Sequence, residues 1–228
     1  MKSLARPVTV VAVTKTLPFA AVEDAYRHGI RHIGENRVQE AEGKIEQAKR
    51  KNLDDVVWHM VGHVQTRKVK RVAEYFDWVD SVDHGALAHS LDAAASVFHK
   101  TLHALLEVNL SGETSKYGFD LGGWERNREK LRKFIAEVSV LLPMQRVRIE
   151  GLMTMPPQVI RPEDNRAMFR SLRLLSETIR VQMPAFGTQL SMGTSQDYQI
   201  AIEEGATQVR LGAALFGQRV ANAPVKPV

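Results

Sequence analysis

Short runs of β-branched and aliphatic residues alternate along the chain with longer stretches in which apolar positions recur every three or four residues. The runs at Val8–Thr14, Arg31–Ile33, Val56–Val61, Trp78–Val82, His103–Leu110, Arg148–Thr154, Thr188–Ser191 and Gln208–Leu211 read as buried parallel strands. The stretches between them read as helices with recognisable ends. Pro18 falls in the first turn of one, with Val22, Ala25 and Tyr26 on one face and Gly29 at the C-terminal cap position. Thr194 and Asp197 form a capping-box pair ahead of Tyr198–Glu204, which Gly205 ends. Trp124–Leu142 and Asp164–Met183 are the longest helical stretches.

Eight strand–helix units in 228 residues, with no linker and no low-complexity stretch, predict an α/β fold: one (β/α)8 TIM barrel domain spanning residues 1–228. An open doubly wound sheet would need a glycine-rich dinucleotide turn after its first strand, and "VAVTKTLP" has none.

Composition narrows the class further. Apolar residues at 44% and charged residues at 25% describe an ordinary globular protein. No apolar run reaches the roughly 18 residues of a membrane span, no signal-peptide core precedes Val8, and cysteine is absent, so a cytoplasmic protein without disulfides or thiolate metal sites is expected. The net charge of +5 is spread out. Its short clusters at Lys49–Lys51 and Arg67–Arg71 sit among apolar positions at helical spacing, as on the wet face of a helix, and no nucleic-acid signature accompanies them.

Barrels gather their functional groups at the C-terminal ends of the strands. Here those ends carry Lys15, Gly34–Asn36, Gly62–His63, Asp80–Asp83, Asn109–Gly118, Met153–Pro157, Ser191–Ser195 and Arg210–Gly217. The last two suit an anion: Ser191 supplies a hydroxyl, while Gly193 and Gly212 let the backbone approach a phosphate. A lysine desolvated at such a mouth can attack an aldehyde to give a Schiff base. Lys15 and the phosphate loops therefore describe a site for a phosphorylated aldehyde, with pyridoxal 5'-phosphate as first candidate and a cofactor-free Schiff-base aldolase as rival. His63 is the histidine placed nearer the mouth, with His59 on the same side of the strand; neither they nor Glu35 and Asp80 receive a role.

"AVTKTLP", "HIGENRVQE", "WHMVGHVQTRK", "EVNLSGETSKYGF", "GLMTMPP" and "LSMGTSQDYQIAIEEGATQVRLGAALFGQR" resemble, in order and spacing, the pyridoxal-phosphate homeostasis protein family, single-domain relatives of the alanine racemase barrel. The resemblance implies a barrel of the alanine racemase type and pyridoxal 5'-phosphate as cofactor. It places Lys15 at the aldimine-forming lysine, Ser191 and the backbone of Gly212 and Ala213 at phosphate contacts, and Arg210 opposite the pyridine nitrogen. Asn36 and Met153 fall in motifs near the cofactor. An arginine can only donate to that nitrogen, which leaves it unprotonated and the ring a weak electron sink.

The resemblance implies cofactor storage and supply without turnover, with pyridoxal-phosphate-dependent apo-enzymes as recipients and the protein a monomer or weak dimer. An amino-acid racemase is the second reading. It needs an acid/base on each face of its substrate, and the terminal "VANAPVKPV" is not the β-domain that supplies the second in the racemases. Departures from the family are few. Only Met1–Pro7 precedes the first strand where a helix is usual. Thr14 replaces a frequent serine, Arg67 an asparagine, and Ala213 a threonine whose hydroxyl is lost while the amide stays.

Overall fold

A computed structural model of the chain describes residues 7–217; residues 1–6 and 218–228, and with them the readings of the stretch ahead of the first strand and of "VANAPVKPV", lie outside the described residues. In chain order the first half contains β1 (Thr9–Val13), α1 (Ala20–Arg27), β2 (His32–Glu35), α2 (Val38–Arg50), β3 (Val57–Met60), α3 (Val69–Tyr75), β4 (Trp78–Val82), α4 (Gly85–Val97) and β5 (Leu102–Asn109). The second half contains β6 (Phe119–Asp120), α5 (Arg128–Leu141), β7 (Val147–Met153), α6 (Arg166–Gln182), β8 (Gln189–Thr194), α7 (Tyr198–Glu203), β9 (Gln208–Leu211) and α8 (Ala213–Phe216).

Eight strands run parallel in the order β4-β3-β2-β1-β9-β8-β7-β5, and the β4–β5 pairing closes the ring. The two-residue β6 only extends the rim beside β5. This is the expected (β/α)8 barrel, and each expected strand is present. Helices cover it from outside: α6 turns Phe169, Leu172, Leu175 and Ile179 inward, spaced as one face of a helix. Among the described residues no helix is long and apolar enough to cross a membrane.

Several boundaries move, for physical reasons. β2 continues past Ile33 to Glu35, and β8 past Ser191 to Thr194. Gly34 and Gly193, which suggest turns in the sequence, stand inside those strands because neighbours occupy the space a side chain would need. A Cβ on Gly34 would come 3.0 Å from Val11, and one on Gly193 2.6 Å from Ala201 of α7. α5 starts at Arg128 instead of Trp124, since Asn127 caps it by accepting the Lys130 amide. A 3-10 turn at Pro162–Asn165 precedes α6, which therefore begins at Arg166 and not Asp164.

Candidate functional site at the barrel mouth

The C-terminal strand ends surround a cavity of about 420 Å³, lined among others by Lys15, Asn36, Met155, Ser195, Arg210, Gly212 and Ala213. Its size suits a small organic ligand. Lys15 lies two residues past the end of β1 and is half-buried. The backbone around it is pinned. The Thr14 amide donates to Gly34 O at 3.0 Å, and the Thr16 amide to Glu40 Oε2 at 3.0 Å. Thr16 holds φ at 63°, a left-handed conformation that costs a β-branched residue about 1–3 kcal/mol and persists only where the surroundings impose it.

Those surroundings include a buried ion pair. Lys44 of α2 reaches inward to donate to Thr14 O at 2.7 Å and to Glu35 Oε1 at 2.6 Å, while the Thr14 hydroxyl donates to the same Oε1 at 2.5 Å. Burial raises the Glu35 pKa, against the lowering effect of the Lys44 and Thr14 hydrogen bonds. Glu35 is thus structural, tying β1 to β2 and α2 immediately beneath Lys15.

Opposite, the turn after β8 meets the start of α8. Ser195 Oγ accepts the amides of Gly212 and Ala214, each at 3.0 Å. Both lone pairs of the hydroxyl are then in use, so its remaining capacity is one donated hydrogen. A hydroxyl in that state, on a cavity wall beside Gly212 and Ala213, asks for an acceptor such as an anion. Ser195 is the residue sequence reasoning passed over within "SMGTS", because placing the strand end at Ser191 moved the loop upstream.

Ser191 itself is fully buried in mid-β8, with its hydroxyl accepting from Arg210 Nη1 at 2.6 Å and Gln208 Nε2 at 3.1 Å. It supports Arg210 from below and does not line the cavity. Gly193 serves the packing of α7, and Met153, 1% exposed at the end of β7, yields its place at the wall to Met155. Of the eight expected residues, Lys15, Asn36, Arg210, Gly212 and Ala213 meet at the cavity; Met153, Ser191 and Gly193 stand behind it.

Arg210 belongs to a polar chain through the barrel interior. His32 Nδ1 lies 2.8 Å from His59 Nε2, and His59 Nδ1 donates to Asp80 Oδ1 at 2.9 Å. Gln208 bonds Asp80 Oδ2 at 2.5 Å and Ser191, and Ser191 meets Arg210, whose Nη2 also donates to Thr154 O at 2.9 Å. Burial, reinforced by the neighbouring His59, lowers the His32 pKa to about 4. Burial likewise pulls the Arg210 pKa down, opposed by the fields of Asp80, Glu107 and Asp197. His59 and Asp80 are thus interior groups, fully buried and absent from the lining of the mouth cavity.

Because β3 stops at Met60, His63 belongs to the following loop, and strand alternation does not govern it. There it bonds Asp83 at 2.9 Å and stacks on Tyr117 with ring centroids 3.9 Å apart. Asp197 turns back to bond the Thr194 amide at 2.7 Å and Asn165 at 2.8 Å. The expected capping pair thus fixes the loop after β8, and no side chain caps α7.

Glu107 on β5 is a second residue the sequence left unread. Burial, with the field of Asp83, raises its pKa to about 7, Arg210 opposing. The fold therefore holds this proton more tightly than the unfolded chain does. Glu107's contribution to stability is full below about 4.5 and is lost as pH rises to about 7. Denaturant unfolding of wild type and Glu107→Gln should show the wild type losing ground to the variant across that window. A pH-independent difference would contradict the shift.

A closed barrel with Lys15, Arg210 and Ser195 gathered at its mouth is of the alanine racemase N-terminal domain class, whose family model matches residues 1–220. Within it the chain belongs to the pyridoxal phosphate homeostasis protein family. A protein of that name from Synechocystis sp. is 39% identical over 213 residues, covering 93% of this chain and 92% of the relative. Another, from Pseudomonas aeruginosa, is 40% identical over 223 residues, covering 96% and 88%. The structure of PipY from Synechococcus elongatus PCC7942, with PLP bound, superposes with a TM-score of 0.82 at 38% identity, covering 94% of this chain and 95% of PipY.

Proposed function

We propose that this chain binds pyridoxal 5'-phosphate at the mouth cavity and serves its storage and supply. The observation that carries the reading is the pairing, across one cavity of about 420 Å³, of Lys15 with the Ser195 hydroxyl, whose lone pairs are already taken by the Gly212 and Ala214 amides. Lys15 is the attachment point for the aldehyde. Ser195, with the backbone amide of Ala213, holds the phosphate; the Gly212 amide, donated to Ser195 Oγ, fixes that hydroxyl, and Asn36 and Met155 border the ring. Bound there, the cofactor supplies an aldehyde for covalent capture and an aromatic ring as electron sink.

The chain's own residues keep that sink weak. Arg210 only donates hydrogen bonds, so a ring nitrogen facing it accepts and carries no proton. Recipients are pyridoxal-phosphate-dependent apo-enzymes. Mixing the loaded protein with such an apo-enzyme, in the presence of a trap for free aldehyde, tests supply: activation that survives the trap indicates direct transfer. Loss of activation with the trap indicates release first, and no activation without it contradicts the reading.

The phosphate assignment has its own test. A Cβ on Gly212 would lie 3.6 Å from Val13 O, ordinary contact, so Gly212→Ala leaves the fold intact and changes only what approaches that backbone. Ser195→Ala should weaken pyridoxal phosphate by about 1–2 kcal/mol through one lost charge-assisted hydrogen bond, and leave pyridoxal unaffected. Equal losses for both ligands would place the phosphate elsewhere.

A further inference from the structure

Five carboxyl groups are buried among the described residues: Glu35, Asp80, Asp83, Glu107 and Asp197. Four have partners. Glu35 accepts from Lys44 and Thr14, Asp80 pairs with His59 and Gln208, Asp83 with His63 and His84, and Asp197 with Asn165 and Thr194. Glu107, 9% exposed, receives no side-chain hydrogen bond and no ion pair from any described residue. Its oxygens are not among the fully enclosed, unpartnered atoms, so a partner from outside the chain can reach them through the cavity they line.

Glu107 lines a second cavity, of about 550 Å³, next to the first. Met155, Pro156, Pro157 and Gln158, after β7, form a wall common to both cavities. Asn109, Tyr117 and Lys116 complete the second, and Lys116 is ion-paired with Glu113 at 2.9 Å. The other charges of that lining, Lys116 and Glu113, pair with each other, and the fields acting on Glu107 come from Asp83 and Arg210.

We propose that this second cavity is a binding site for the ammonium group of a small primary amine, with Glu107 as its counter-ion. A primary ammonium brings three donors to a carboxyl that has none, and the apolar part of the lining, Val108, Met155, Pro156, Pro157 and the Tyr117 ring, takes an aliphatic or amino-acid body. The site stands on its own geometry. Its meaning rests on the function proposed above: an amine held there occupies the cavity next to that of Lys15, the two sharing the wall Met155, Pro156, Pro157 and Gln158.

The charged surroundings of Glu107 are Asp83 after β4, itself held by His63 and His84, Arg210 on β9, and the Lys116–Glu113 pair on the loop after β5. Burial, with the field of Asp83 and against that of Arg210, raises the carboxyl pKa to about 7, so it is about half protonated at neutrality. Binding an ammonium at neutral pH must then displace the proton from the fraction that carries it.

Calorimetric titration of the cofactor-free full chain with ethylammonium chloride tests the site. Saturable binding is expected, with a heat that changes between buffers of different ionisation enthalpy because a proton is released. Tetramethylammonium, which has no N–H, and sodium acetate should not compete. Glu107→Gln should weaken ethylammonium by more than about tenfold, and Glu107→Asp should recover part of the loss. Should the glutamine variant fail to fold, the buffer dependence of the wild-type heat and the aspartate variant carry the test. No saturable binding, competition by acetate, or equal affinity in wild type and Glu107→Gln would overturn the assignment. Since no cofactor is present, a protein that binds ethylammonium but not pyridoxal phosphate would sink the proposed function and spare this site; the reverse outcome would sink the site alone.

Discussion

Wild-type protein loaded with pyridoxal phosphate is expected to show a visible absorption band that Lys15→Ala lacks entirely. Lys15 follows β1 into the cavity, and its backbone is held between the Thr14–Gly34 bond and the left-handed Thr16, so its amine has a defined approach to the site. Borohydride, which reduces a carbon–nitrogen double bond, should fix the cofactor to the peptide containing Lys15 in wild type and to no peptide in the variant. The variant should keep the fold, because the pinning contacts belong to Thr14, Thr16, Glu35 and Lys44 and not to the Lys15 side chain. An unchanged band in Lys15→Ala would assign the covalent link to another amine.

The largest expected effect on stability comes from Lys44→Met. This change removes the cation from a pair in which Glu35 is fully buried and Lys44 only 7% exposed, leaving Glu35 with the Thr14 hydroxyl as its one donor. Breaking one partner of a buried pair costs about 3–5 kcal/mol, whereas replacing both by apolar groups is close to neutral. Urea unfolding should therefore show a large loss for Lys44→Met and partial recovery in the double variant Lys44→Met/Glu35→Leu. Because Thr14 loses the ammonium that bonds its carbonyl, the single variant should also bind pyridoxal phosphate more weakly. A single-variant loss below about 1 kcal/mol would show that the pair contributes little.

The strands of this barrel were legible because parallel strands buried on both faces write continuous Val, Ile and Leu runs, and Trp78–Val82 and Gln208–Leu211 coincide with their expected bounds. What the pattern misplaces are strand ends that contain glycine. Gly34 and Gly193 look like turns, yet each sits in a strand where Val11 or Ala201 presses on the backbone. That error set the end of β8 at Ser191 and hid Ser195. Lys15 and Arg210 were readable because each immediately follows or closes an apolar run at the mouth. Glu107 left a different signal, a lone acid inside the apolar run of β5, whose meaning depends on β4 and β9 bringing Asp83 and Arg210 near it; no local pattern encodes that. The Lys44–Glu35 pair is similar, since its partners stand on different elements and only the closed ring joins them.

The interior chain from His32 to Arg210 has a consequence for how any occupant arrives and leaves. An arginine waiting free at a pocket wall surrenders its torsional freedom when a ligand docks, at a cost of about 0.5–1.5 kcal/mol. Arg210 has already surrendered it during folding, to Ser191 and Thr154. Association then requires no rearrangement of the guanidinium, and the encounter rate is set by access through the mouth. Among ligands of similar size, selectivity is therefore expressed mainly as dwell time.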